Sequence, residues 1–152
     1  MVDLYKLNCK IALHWLGRLD SKHIDYLCHV PVCIGQFAHA PAKLEAVLTQ
    51  QSTAHRNSIG VAKLNRQYLR YARLAAKDVA AGKLDRLVRL GINLAQAEAL
   101  SNLSNEAITR LAFGWDGLIV EFTAEALTRG ATFRSRAAKQ HARAFLATFV
   151  AG

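Results

Sequence analysis

The chain reads as all-α, with a helix-turn-helix-like αα-corner. Three observations point there. Only two prolines and nine glycines interrupt 152 residues rich in Ala, Leu, Arg and Lys, a composition that favours helices. Apolar residues recur at three- and four-residue spacing along several stretches. Between them, residues 88–112, VRLGINLAQAEALSNLSNEAITRLA, carry two successive sets of helix stop and start signals.

Taken in order, residues 2–19 wind into a helix with Leu4, Leu7, Ile11, Trp15 and Leu19 near one face. Pro31, Gly35 and Pro41 forbid a long helix in the next stretch, where cysteine and histidine concentrate. Cys28, His29, Cys33 and His39 are zinc-type ligands, but a Cys-x4-Cys pair is loose for a structural site. His23 and Cys9 are arbitrary fourth choices, so no metal and no cofactor are assigned. The cysteines are read as buried or idle thiols. Residues 42–48 form a short helix, and QQSTAHRNS at 50–58 is a polar linker. Residues 1–56 therefore read as an N-terminal extension and 57–152 as the helical domain.

Ser58 caps the next helix, residues 59–81, whose apolar face is Val61, Leu64, Tyr68, Tyr71, Ala75 and Val79. Tyr68 and Tyr71 read as core or dimer-interface residues rather than base-stacking platforms, and Val61, Leu64, Tyr68 and Tyr71 are the residues a dimer face would use. The opposite face carries Lys63, Arg66, Arg70, Arg73 and Lys77. Like charges at these spacings repel by a few tenths of a kcal/mol each in an isolated helix, so the stripe fits either an anionic partner or a well-solvated face. Arg66, Arg70, Arg73 and Lys77 are the candidate phosphate contacts.

In the central stretch, Gly91 suits a left-handed helix stop. Asn93 then caps a new helix, with Gln96 three residues on to complete a capping box. Leu94, Ala97 and Leu100 or Ser101 form its inner edge. Asn102 stands where a helix-turn-helix needs a left-handed turn residue, Leu103 plugs the angle, and Ser104 caps a second helix with Ile108 and Leu111 inward. If this is a DNA-reading motif, Ser104, Asn105, Thr109 and Arg110, with Glu106, are what it offers a groove. Glu98 falls where such motifs usually place a small residue, and the same layout also describes a structural αα-corner.

Beyond it, residues 113–117 make an aromatic turn, and LIVEF at 118–122 is a strand, a buried extended segment, a helix piece or an element paired across a dimer. Residues 124–128 are helical in character. A last amphipathic helix, 134–150, buries Ala138, Ala142, Phe145 and Phe149 and displays Arg134, Arg136, Lys139 and Arg143.

The formal charge of +9 favours an anionic partner, with nucleic acid ahead of a membrane because no long apolar span is present. Lys6, Lys10, His14 and Arg18 break any leader-like run, and three cysteines fit a reducing compartment, so a cytoplasmic location is expected. No Gly-rich phosphate loop, G-x-S-x-G or HExxH motif occurs, and an enzyme is not expected.

The order of residues resembles the FlhD family of bacterial transcriptional regulators. The likeness runs from Leu64 through Tyr68, Leu74 and Lys83 to RLGIN at 89–93. It continues through Ala97, Leu100, Leu103, Leu111 and Ala112 and weakens toward Gln140, His141 and Leu146. It covers about the last two-thirds of the chain, and RLGIN is its most specific part. The resemblance implies an all-α homodimer that joins an FlhC-like zinc-containing subunit, binds promoter DNA and recruits RNA polymerase through the complex. It also implies that the partner holds the zinc and makes much of the DNA contact. Val120 stands where flagellar members carry an intersubunit cysteine, so a dimer of this chain must hold by packing. Residues 1–56 have no counterpart in those members. Two rival classes remain: a protein-interaction scaffold without DNA contact, and a stand-alone helix-turn-helix regulator.

Overall fold

A computed structural model describes residues 4–15, 33–37, 39–49 and 57–122. The expected helices at 124–128 and 134–150, and most of the cysteine- and histidine-bearing stretch, lie outside the described residues. The molecule is mostly helical. It divides into two compact units, one of them Phe37–Glu121, a division that does not follow the composition break near residue 56.

In the first unit, α1 spans Leu4–Trp15. Leu7 and Ile11 are buried as their four-residue spacing predicts, and Asn8 and Ala12 are buried with them. Asn8 is satisfied there, because its Oδ1 accepts from the backbone N–H of Ile34 at 3.0 Å. Cys9 is engaged in a disulfide, which corrects the expectation of idle thiols, while Cys33 is a buried thiol. A disulfide persists in oxidising surroundings, so cysteine usage does not support a reducing compartment. Among the described residues no helix is long and apolar enough to cross a membrane.

The second unit holds α2 (Pro41–Thr49), α3 (Ile59–Asp78), α4 (Asp85–Leu90), α5 (Leu94–Ser101) and α6 (Asn105–Gly114). Its frame is α3, twenty residues long and so about 30 Å from end to end. Both α5 and α6 pack on it, α4 lies against it, and α2 rests on α5 and α6. Each end is set by local chemistry. Ser58 Oγ accepts from Val61 N–H at 3.4 Å to start α3. Gly82 ends the 3-10 turn after α3 at φ 78°, and Gly91 ends α4 at φ 70°, a conformation that only glycine adopts without strain. At Gly91 the N–H of Ile92 reaches back to Leu87 O at 3.1 Å, closing a Schellman-type stop.

The buried face of α3 is turned by about one residue from the expected stripe. Ala62, Leu64, Asn65, Tyr68, Leu69, Ala72, Ala75 and Ala76 are buried, whereas Val61 and Tyr71 are half-buried. Small side chains at 62, 72, 75 and 76 let two helices approach one backbone, so alanines rather than the larger apolar residues mark the inner face. Leu64 and Tyr68 are 7% and 1% exposed. They are therefore spent on the core and are not available as a dimer surface, which corrects that assignment for these two residues. Tyr68 also donates its hydroxyl to Leu90 O at 3.1 Å, satisfying a carbonyl at the end of α4.

Asn65 is the polar centre of this core. Its Nδ2 donates to Ala112 O at 3.2 Å and Gly117 O at 3.0 Å, and its Oδ1 accepts from Ile119 N–H at 2.8 Å. Asn57 repeats the arrangement on the same turn, donating to Ala112 O at 3.0 Å and accepting from Gly117 N–H at 2.9 Å. Two asparagines thus take up the backbone groups of a buried irregular segment that would otherwise be unpaired. Of LIVEF, only Glu121–Phe122 is extended. Ile119 and Val120 are buried within the turn that the asparagines hold.

Candidate nucleic-acid interface

The residues proposed for anion binding separate into two groups. Lys63, Arg70 and Lys77 project from the outer face of α3 as exposed side chains, with Arg66 half-exposed among them. None of the four has an acidic partner among the described residues, where the ion pairs are Arg86 with Asp78 and Arg89 with Asp85. Lys63, Arg70 and Lys77 recur every seven residues, so they stand on one side of the helix at intervals of about 10.5 Å. The result is a cationic edge of about 21 Å.

Arg73 belongs elsewhere. Its guanidinium donates to Leu103 O at 3.1 Å and to Asn105 Oδ1 at 2.7 Å. That geometry fastens α3 to the joint between α5 and α6. A planar fork with two fixed acceptors is a structural clamp, and Arg73 leaves the set of open phosphate contacts.

The α5–α6 corner forms with the caps expected of it. Asn93 Oδ1 accepts from Gln96 N–H at 2.8 Å while Gln96 Oε1 accepts from Asn93 N–H at 3.0 Å, a complete capping box. Ser104 Oγ accepts from Ala107 N–H at 3.0 Å at the start of α6. Ala97, Leu100, Ile108 and Leu111 face inward as expected, but Leu94 is 63% exposed. Gln96 takes the inner position instead, because its Nε2 donates to Phe37 O at 2.9 Å and His39 O at 3.1 Å.

Asn102 does not adopt the left-handed turn. It sits at φ −89°, ψ −2°, and no residue other than glycine has positive φ among those described. The reason is local: its Nδ2 donates to Glu98 O at 3.1 Å and so closes the helix through the side chain. The turn thus differs from the one on which the helix-turn-helix reading was based.

The side chains offered to a groove by α6 are already occupied. Asn105 accepts from Arg73, and Ser104 is used as the cap. Thr109 Oγ1 donates to Asn105 O at 3.1 Å, and Arg110 donates to Leu48 O at 2.6 Å near the end of α2. Glu106, an exposed anion, is left facing outward. The corner therefore presents few open polar groups for base edges, and the exposed cations stand on α3.

Sequence reading missed the aromatic line through this unit. Phe37 stacks on Tyr68 with centroids 6.2 Å apart and meets His39 edge-on at 5.3 Å, and His39 lies 4.4 Å from Trp115. The Nε2–H of His39 donates to Ile119 O at 2.9 Å. Burial holds the His39 pKa below its ordinary value of 6.5, with the bond to Ile119 opposing, Lys43 adding to the depression and Glu121 countering it. His39 thus serves as a neutral core histidine, and no cluster of three metal-type ligands occurs among the described residues.

Comparison of the chain with family models, curated proteins and solved structures finds no match.

Proposed function

We propose that the chain is a DNA-associated regulatory subunit whose α3 lies along the phosphate backbone and whose partner supplies sequence choice. The observation that carries this reading is the outward row of Lys63, Arg66, Arg70 and Lys77, none with an acidic partner among the described residues. Phosphate contacts position a protein on a duplex, while base contacts specify. The occupied side chains of α6 support giving this chain the first task.

The resemblance to the FlhD family adds the rest of the proposal. The assembly contains an FlhC-like zinc-containing subunit, acts at promoter DNA, recruits RNA polymerase, and includes a homodimer of this chain. With Leu64 and Tyr68 buried, such a dimer draws on Val61 and Tyr71 and on surfaces beyond them. The test is co-purification with the product of the neighbouring gene, followed by gel shifts of each protein and of the mixture on the adjacent promoter. A shift by the mixture alone supports the reading; a sequence-selective shift by this chain alone replaces it with a self-sufficient regulator.

A second reading has its own observation. Because Arg73, Asn105, Thr109 and Arg110 brace the fold, the chain also suits a protein-interaction scaffold whose cations meet an acidic protein surface. In that case, neutralising the α3 edge leaves the salt dependence of DNA binding by the complex unchanged and weakens co-purification instead.

A further inference from the structure

Within the Phe37–Glu121 unit, a cavity of about 380 Å³ opens between one face of α2 and the segment after α6. It is within the size range of small-molecule sites. Lys43 and Val47, spaced by four on one face of α2, line one side together with His39, which lies just before that helix. Trp115, Asp116, Leu118 and Glu121 line the other.

Both walls are fixed by hydrogen bonds that are buried or partly buried. Gln96 holds the carbonyl of His39 at 3.1 Å, and Asn57 and Asn65 hold Gly117 and Ile119. His39 itself is 8% exposed. Since its Nε2–H is committed to Ile119 O, its Nδ1 is an acceptor, and that nitrogen has no partner among the described residues. The depressed pKa keeps the ring neutral.

The aromatic floor already carries a cation, because the Lys43 ammonium sits 5.2 Å from the Trp115 ring centroid. Lys43 is an exposed, flexible side chain, and Asp116 and Glu121 at the rim are exposed carboxylates. With His39 neutral, one positive and two negative charges leave the lining net negative. His39, Asp116 and Glu121 do not group closely enough to share a metal ion.

We propose that this cavity binds a small organic cation, a primary ammonium or guanidinium on a short apolar stem, and that Lys43 is the resident cation it displaces. The stem lies against Val47 and Leu118. The cationic head takes the Trp115 face, donates to His39 Nδ1 and is drawn by Asp116 and Glu121.

The test titrates the full chain with n-butylammonium and n-butylguanidinium, with butyrate and n-butanol as controls, following the indole resonance of Trp115 and the imidazole of His39. Saturable shifts with the two cations alone are expected. Glu121→Gln and Asp116→Asn weaken binding by about two- to fivefold each, as for partly exposed charge pairs. Lys43→Ala removes the competitor and tightens binding by a similar factor. Absence of saturable shifts, equal response to butyrate or butanol, or weaker binding in Lys43→Ala overturns the proposal.

Discussion

Arg73 on α3 and Asn105, the first residue of α6, are joined at 2.7 Å, and the same guanidinium takes the carbonyl of Leu103. Two residues that sequence alone places on a nucleic-acid surface are instead each other's partners. The consequence is mechanical, since the joint of the αα-corner is tied to the longest helix of the unit. Arg73→Ala is expected to lower stability by about 1–3 kcal/mol, because it strips partners from Leu103 O and Asn105. Chemical denaturation of the variant measures this. A variant as stable as the parent, with weakened DNA binding, would return Arg73 to the phosphate-contacting set.

Gln96 closes the capping box on Asn93 and also reaches the carbonyls of Phe37 and His39. Gln96→Ala removes all of these bonds from a side chain only 7% exposed, at an expected cost of about 2–4 kcal/mol. Gln96→Glu keeps the acceptor for Asn93 N–H but places a carboxylate against two carbonyl oxygens, and it is expected to be no more stable than the alanine variant. Thermal melts of the pair decide whether the inner bonds or the cap dominate.

His39 makes stability depend on pH with a defined sign. Its folded pKa lies below 6.5, so the unfolded chain binds the proton more readily. The contribution is complete above pH 6.5 and is lost as pH falls through the folded value. Denaturation midpoints should drop as pH falls below 6.5, starting above the range where ordinary carboxylates titrate. His39→Gln should flatten that slope. A parental slope retained in the variant would assign it to another group.

Cys9 is disulfide-bonded and Cys33 is a buried thiol. In protein unfolded without reductant, Cys33 should be alkylated and Cys9 protected, with Cys9 labelled only after reduction. Reduction is expected to lower the stability of its unit by about 2–4 kcal/mol. Equal labelling of both cysteines before reduction would show that the bond does not form in solution and would restore the reducing-compartment expectation.

Helix ends were legible in the sequence and faces were less so. Gly91, Asn93, Gln96, Ser58 and Ser104 act through neighbours within a few residues, so residue type and spacing suffice to predict them. The inner face of α3 was offset because its neighbours select small residues, and hydropathy gives Ala62 and Ala72 little weight beside Val61 and Tyr71. Leu94 looked inward on hydropathy, yet Gln96 is buried because carbonyls from residues 37 and 39 wait for it there. Asn65 had no sequence signal at all, since a polar residue on an amphipathic helix reads as solvent-facing until the turn at 117–119 is brought against it. The candidate site divides in the same way. The exposed cations of α3 followed from periodicity, while the engagement of Arg73, Asn105 and Arg110 depended on contacts 30 to 62 residues away in sequence.

If the α3 edge meets phosphates, the salt dependence of DNA binding carries its signature. The assembled complex should be titrated onto a mixed-sequence duplex over a range of salt, as the parent and as the Arg70→Ala, Lys77→Ala double variant. Each lost phosphate contact lowers the slope of log K against log salt by about 0.9, so the double variant should lose about 2 units of slope on every sequence tried. An unchanged slope, with the fold intact, would contradict the account and leave the chain as a scaffold.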